Sequence, residues 1–173
     1  MKKIIFLLAV LLIACTNQKK KNDYLVKVFE GRFDEISVKT GYINSKKDTV
    51  IPFGKYYYCY TDTIINYGIV QEKNGKLIAI DPNENILFEV YNFDNGPDTI
   101  KEDRFRIIKN GKIGYANSEG KIVIEPIYKC AFPFSNGKAR VAVNCELKKN
   151  GEHTMQSSDQ WIFINVQGEE VEK

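Results

Sequence analysis

The sequence predicts an all-β chain of repeated short antiparallel hairpins, forming an elongated, solenoid-like meander behind an N-terminal signal helix. Three observations predict it. A motif returns at regular offsets, glycine-centred turn signals separate short β-rich runs, and no stretch beyond residue 14 holds a helical period over ten residues.

The first 14 residues stand apart from this pattern. Lys2 and Lys3 give a short positive start, and Ile4 to Ile13 is an uninterrupted apolar run. Such a run suits export but falls short of the about 20 apolar residues that span a bilayer. Leu12-Ile13-Ala14-Cys15 resembles the lipobox of bacterial lipoproteins. That resemblance implies cleavage before Cys15, a diacylglycerol on its sulfur, and an acylated (palmitate-type) amino terminus. Two or three chains at about 0.8 kcal/mol per buried methylene anchor stably, where one chain binds only marginally. The sequence is therefore divided into a signal peptide (1–14), a lipidated cysteine with a flexible tether (15–23), and a β domain (24–173). By resemblance to known export systems, Thr16 rather than Asp after the cysteine points to the outer membrane, on either its periplasmic or its surface side.

Within the β domain, Gly41-Tyr42-Ile43-Asn44-Ser45 recurs as Gly114-Tyr115-Ala116-Asn117-Ser118, an offset of 73. A copy lies halfway. Asn74-Gly75-Lys76-Leu77 aligns at offset 36 with Asn110-Gly111-Lys112-Ile113, and Ile86 to Glu89 with Ile122 to Glu125. A fourth, truncated copy follows at offset 48, placing Trp161 on Ile113, Phe163 on Tyr115 and Asn165 on Asn117. The extra residues 147–158 read as a polar loop insertion. The third copy shows the unit most clearly. Phe105 to Ile108 is a strand, Asn110-Gly111 a type I′ turn, Lys112 to Ala116 the return strand, and Asn117 to Gly120 a second turn. Lys121 to Glu125 is a third strand, expected to end at Pro126. Beyond it, Asn136-Gly137 is another turn, and Ala139, Val141 and Val143 alternate with Lys138, Arg140 and Ala142 along a strand.

These residues resemble the WG (KWG) repeat family. The resemblance reads Asn110-Gly111-Lys112-Ile113-Gly114-Tyr115-Ala116-Asn117, then Gly120 to Pro126, Tyr128, and Phe134-Ser135-Asn136-Gly137. It is close over 105–143 and looser over 39–104 and 159–173. The namesake tryptophan survives only as Trp161, followed by Ile162 instead of glycine, so the copies are degenerate. The family implies β-hairpin repeats with no common catalytic activity, often in exported or lipid-anchored envelope proteins.

Charge supports no nucleic-acid partner. The chain has 25 Lys+Arg against 22 Asp+Glu, but Lys2 and Lys3 leave with the signal and Lys19, Lys20 and Lys21 lie in the tether. With Asp23 also in the tether, twenty basic residues then face 21 of the 22 acidic ones in the folded part, so the net +3 comes from the export segment and tether. The tether lysines suit anionic headgroups. Cys59, Cys130 and Cys145 match no zinc spacing. The plainer reading is three small buried hydrophobes; the other is a Cys130–Cys145 bridge across neighbouring strands.

Catalytic arrangements are poorly served. His153, the one histidine, falls in the polar insertion. The pairs Asp34-Glu35, Glu102-Asp103 and Glu169-Glu170 point to opposite faces of a strand and read as turn or edge charges. Asp81 to Asn85 offers oxygen ligands but lacks EF-hand spacing, and reads as a hairpin turn. The run Phe53 to Tyr60 is the most unusual segment. On a strand, Tyr56, Tyr58 and Tyr60 share a face, either as a platform for a protein or sugar or as ordinary cross-strand packing. The sequence thus predicts a non-enzymatic, lipid-anchored protein-binding or scaffolding module with no cofactor or metal. Tyr56, Tyr58, Tyr60 and Trp161 are its candidate surface and the membrane and a protein are its partners. A glycan-binding lipoprotein is the alternative, and an enzyme with an unrecognised carboxylate site the second.

Overall fold

The computed structural model describes residues 23–31, 38–150 and 153–172, with backbone alone at Asn150, His153 and Thr154. The expected signal segment, Cys15, most of the tether and Asp34-Glu35 lie outside the described residues. What is described is all-β, with every strand pairing antiparallel.

The repeat unit is a three-stranded meander, present four times. The first comprises β1 (Leu25–Glu30), β2 (Lys39–Asn44) and β3 (Thr49–Ile51). Two short strands follow, β4 (Tyr58–Cys59) and β5 (Thr63–Ile64). The second unit is β6 (Gly68–Gln71), β7 (Leu77–Ile80) and β8 (Ile86–Val90). The small hairpin of β9 (Asn92–Phe93) and β10 (Gly96–Pro97) leads to the third unit, β11 (Phe105–Lys109), β12 (Lys112–Ala116) and β13 (Ile122–Tyr128). After β14 (Cys130–Ala131), the fourth unit begins with β15 (Lys138–Ala142). It is interrupted by a hairpin of β16 (Glu146–Asn150) and β17 (His153–Ser157), and resumes with β18 (Ile162–Asn165) and β19 (Glu170–Val171).

The units do not continue into one sheet, as the sequence had implied. Units two and three join edge to edge through β8 and β11 in a seven-stranded sheet of order β13-β12-β11-β8-β7-β6-β4. Unit one forms its own sheet, β3-β2-β1-β5, and unit four another, β14-β15-β18-β19. The insertion is also corrected: it is not an irregular loop but the self-paired hairpin β16–β17.

Each meander is closed by the same side-chain device. Asn44, Asp81, Asn117 and Asn165 stand at equivalent positions, and each Oδ1 accepts backbone N–H bonds from the residues two and four further on, between 2.8 and 3.2 Å. A short polar side chain thereby substitutes for the ladder through the turn. The fourth residue of each turn has positive φ: Lys47, Glu84, Gly120 and Gly168. Asn110-Gly111 and Asn136-Gly137 have positive φ at both positions, as type I′ geometry requires, and so do Asp94-Asn95 and Glu102-Asp103 without glycine.

Two strand expectations are revised. Pro126 does not end its strand: β13 runs on to Tyr128, bulging between its pairings with Ile113 and Tyr115. A proline is tolerated there because β13 is an edge strand with a bulge. β15 ends at Ala142, which is buried, whereas Val143 is exposed.

The core of the described residues is three large clusters divided by the central sheet, with a small fourth around Cys130, Ala142 and Cys145. Register puts Ile78, Glu89, Ile108 and Ile113 on one face, and that face carries a cluster at each end. Leu25, Tyr42, Ile51 and Ile64 of unit one pack there on Val70, Ile78 and Ile80. Val141 and Ile164 of unit four pack on Ile113, Tyr115 and Tyr128. The opposite face gathers Leu77, Phe88, Val90, Phe105, Ile107 and Ala116, with Tyr67 stacked on Phe105 at 5.9 Å. β7 is therefore buried on both faces, which is why Leu77-Ile78-Ala79-Ile80 is continuously apolar. Tyr42 and Tyr115, fully buried equivalents, donate their hydroxyls to the carbonyls of Thr61 and Phe132 at 2.6 and 2.7 Å. Burial pushes both phenols far above the ordinary tyrosine range, so they stay donors.

Candidate functional site

The outer face of unit four is the most distinctive surface. Register pairs Arg140 with Phe163 and Phe163 with Val171, so these side chains share the face opposite Ala139, Val141 and Ile164. Trp161, just before β18, lies on the same side, against Arg140. The Arg140 guanidinium sits 4.4 Å from the Phe132 ring centroid and 4.6 Å from that of Trp161, and the rings are 5.4 Å apart. Phe132, Pro133, Ser135, Lys138, Arg140 and Phe163 line an open hollow of about 580 Å³.

A disulfide sets the floor of this arrangement. Cys130 and Cys145 are bonded, their Cα atoms 5.9 Å apart. The plainer reading of three buried thiols is thus overturned for this pair, because β14 and the end of β15 run side by side; among the described residues Cys59 is the free, buried thiol. Trp161 packs against the bridged pair and Ala142, which fixes the ring that flanks Arg140.

Charge in the hollow is one-sided. Lys138 Nζ donates to the Glu172 carbonyl at 2.8 Å, and Arg140 makes ring contacts but no ion pair or side-chain hydrogen bond among the described residues. No carboxylate lines the hollow. Stacked on aromatic faces, a guanidinium keeps its planar fork of donors directed outward.

A second hollow of about 560 Å³ lies by the β7–β8 turn, between Lys55, Tyr56, Glu72, Lys73, Glu84 and Ile86. Glu84 takes a 2.5 Å ion pair from Lys55 and a 2.9 Å hydrogen bond from Tyr56. Burial first, then that bond to Glu84, holds the Tyr56 phenol well above its usual range.

The predicted tyrosine row is only partly brought together. Tyr58 and Tyr60 meet edge to face at 4.7 Å. Tyr56 precedes β4 in a bend, packs against the cluster under unit one, and so does not continue the row; Tyr60 packs against the opposite cluster. Trp161 belongs to another sheet altogether. Tyr57, which alternation placed on the other side, is 74% exposed. Burial raises the Tyr60 phenol as well.

Other candidates are structural. Asp81 holds its own hairpin turn: burial alone would raise its carboxyl, but hydrogen bonds from Asn85 and Asn83 bring it below the ordinary value. Glu102-Asp103 forms a turn, and Asp103 accepts from the Ser118 hydroxyl and amide, which lowers its carboxyl. His153 opens β17 in the insertion. No group of three or more His, Cys, Asp or Glu among the described residues is placed to hold a metal.

Sequence reasoning missed the cationic centre. Lys138 and Arg140 read there as the polar half of an alternating strand, and Phe132 drew no notice. The available signal was the fourth repeat, which already placed Trp161 and Phe163 two apart on one strand beside them.

The fold and this face together define a class: an antiparallel β protein built from repeated three-stranded meanders. A model of the family described as WG containing repeat matches residues 113–144, which spans β12 to β15 with the Asn117 turn and the turn at Asn136-Gly137. Residues 113–144 are thus similar to a WG repeat. No curated protein and no solved structure matches it.

Proposed function

We propose that this chain is a lipid-anchored envelope protein whose WG-type β repeats act as a non-enzymatic protein-binding or scaffolding module. The observation that carries the binding reading is the outer face of unit four, where Arg140 lies between Phe132 and Trp161 without a carboxylate partner among the described residues. Arginine and aromatic rings in a partly desolvated hollow are the residue types that dominate protein interfaces. Supporting the anchor is the sequence alone: Lys2-Lys3, the apolar run to Ile13, then Ala14-Cys15. Thr16 rather than Asp after the cysteine supports outer-membrane retention, and Lys19, Lys20 and Lys21 suit anionic headgroups. Meanders in series give the partner an extended surface.

The test is capture of the intact lipoprotein after cross-linking in cells, with labelled palmitate added during growth. The expected result is label on the wild type, none on Cys15→Ala, and a specific envelope protein co-captured. An unlabelled wild type would remove the anchor. Capture of nothing, together with turnover of an ester or glycosidic substrate abolished by one carboxylate change, would replace the module with an enzyme.

A further inference from the structure

Resting on the binding reading above, we propose that the outer face of unit four recognises an acidic peptide segment of the partner protein, with Arg140 taking one of its carboxylates. Three features converge on that chemistry. The hollow holds two cations, Lys138 and Arg140, and no acid. The Arg140 guanidinium is fixed by the rings of Phe132 and Trp161, so its donors are oriented before a ligand arrives. With no hydrogen bond or ion pair of its own among the described residues, it offers a carboxylate two parallel N–H donors.

The remaining walls choose between carboxylate bearers. Pro133 and Phe163 supply apolar surface beside the fork, which suits the side chains flanking an Asp or Glu. A sugar acid would have only the Phe163 ring to stack on, because the faces of Phe132 and Trp161 turned to Arg140 already hold the guanidinium. The second hollow differs in charge: Glu72 and Glu84 line it beside Lys55 and Lys73, and Lys55 is neutralised by Glu84 at 2.5 Å, so an incoming acid would meet carboxylates there.

The experiment uses the full lipoprotein in detergent and three probes. These are fluorescent heptapeptides with a central Glu flanked by Leu, the same pool with Gln, and an oligogalacturonate. The Glu pool is expected to bind about tenfold tighter than the Gln pool at low salt, with the gap closing as salt rises. Arg140→Gln is expected to erase that difference, and Arg140→Lys most of it, because an ammonium lacks the fork. Arg140→Lys retains an aliphatic stem between the rings and provides a second folded variant, checked by thermal melting. Equal binding of the two pools, undiminished preference in Arg140→Gln, or binding of the oligogalacturonate alone would overturn the proposal. Cross-linked capture in cells separates it from the broader reading. If Arg140→Gln captures the same partner as the wild type, the site falls and the module stands; if the wild type captures nothing, the module falls.

Discussion

At Gly114 the third strand of the repeat crosses so closely that a Cβ would lie 2.5 Å from the Ile124 carbonyl oxygen and 2.7 Å from the Pro126 nitrogen. Gly41, its equivalent, would place a Cβ 2.6 Å from the Ile51 carbonyl oxygen. Gly114 sits within a register slip of the third strand, and Gly41 just before the slip between Tyr42 and Ile43. Neither has positive φ, so the requirement is space rather than backbone conformation. Gly111 is the reverse case, with φ of 70° and nothing within 4 Å of its Cβ position. Gly114→Ala should therefore cost about 3 kcal/mol, since backbone on both sides must move, and Gly111→Ala about 1 kcal/mol. Urea unfolding of the two variants checks this, and an equal loss in both would refute the crossing argument. The sequence showed that Gly41 and Gly114 are equivalent but not why they are glycine. A bulge that carries β13 past Pro126 has no local signature, whereas the Asn-Gly turns do.

Among elements, the hairpins were the most legible, because turn chemistry is local. The four Asx-type turns follow from one residue each, and the offsets of 36, 73 and 48 locate them. Which strands join was not legible. Units two and three merge through β8–β11 while units one and four stand as separate sheets, a choice made by clusters of residues far apart in sequence. The tyrosine row failed for a related reason: alternation holds only while the chain is a strand, and β4 begins at Tyr58. The disulfide belongs to this scale as well. It closes a separation of 15 residues between β14 and Cys145, three residues past the end of β15. Changing Cys130 and Cys145 together to Ala should lower stability by about 3 kcal/mol, read from denaturant midpoints. Mass analysis without reductant should find those two cysteines in one bridge and Cys59 free. Three free thiols would contradict the arrangement under Trp161.

The molecule as a whole is held together by one buried ion pair as well as by its clusters. Arg106 and Asp98 are almost fully buried and bonded twice, at 2.6 and 2.9 Å, while Asp98 also accepts the Arg106 amide. The guanidinium lies 4.1 Å from the Tyr91 ring and donates to the Ala131 carbonyl, tying the seven-stranded sheet to unit four's sheet. Nothing in the sequence marked it, since Asp98 lies in a linker and Arg106 in a segment that reads only as a β-rich strand. Arg106→Met alone should cost about 3–5 kcal/mol by stranding a buried carboxylate, and adding Asp98→Leu should restore part of that. Urea unfolding of both would show it, and additive losses would argue against the pair as a unit. The most direct test of the account is a photo-activatable residue at Ser135, on the rim of the Arg140 hollow, compared with one at Ile65, exposed in the β5–β6 linker. In growing cells, illumination should give one discrete protein adduct from position 135 and none from position 65. Identical adducts from both positions, or none from either with the lipoprotein present at normal level, would contradict it.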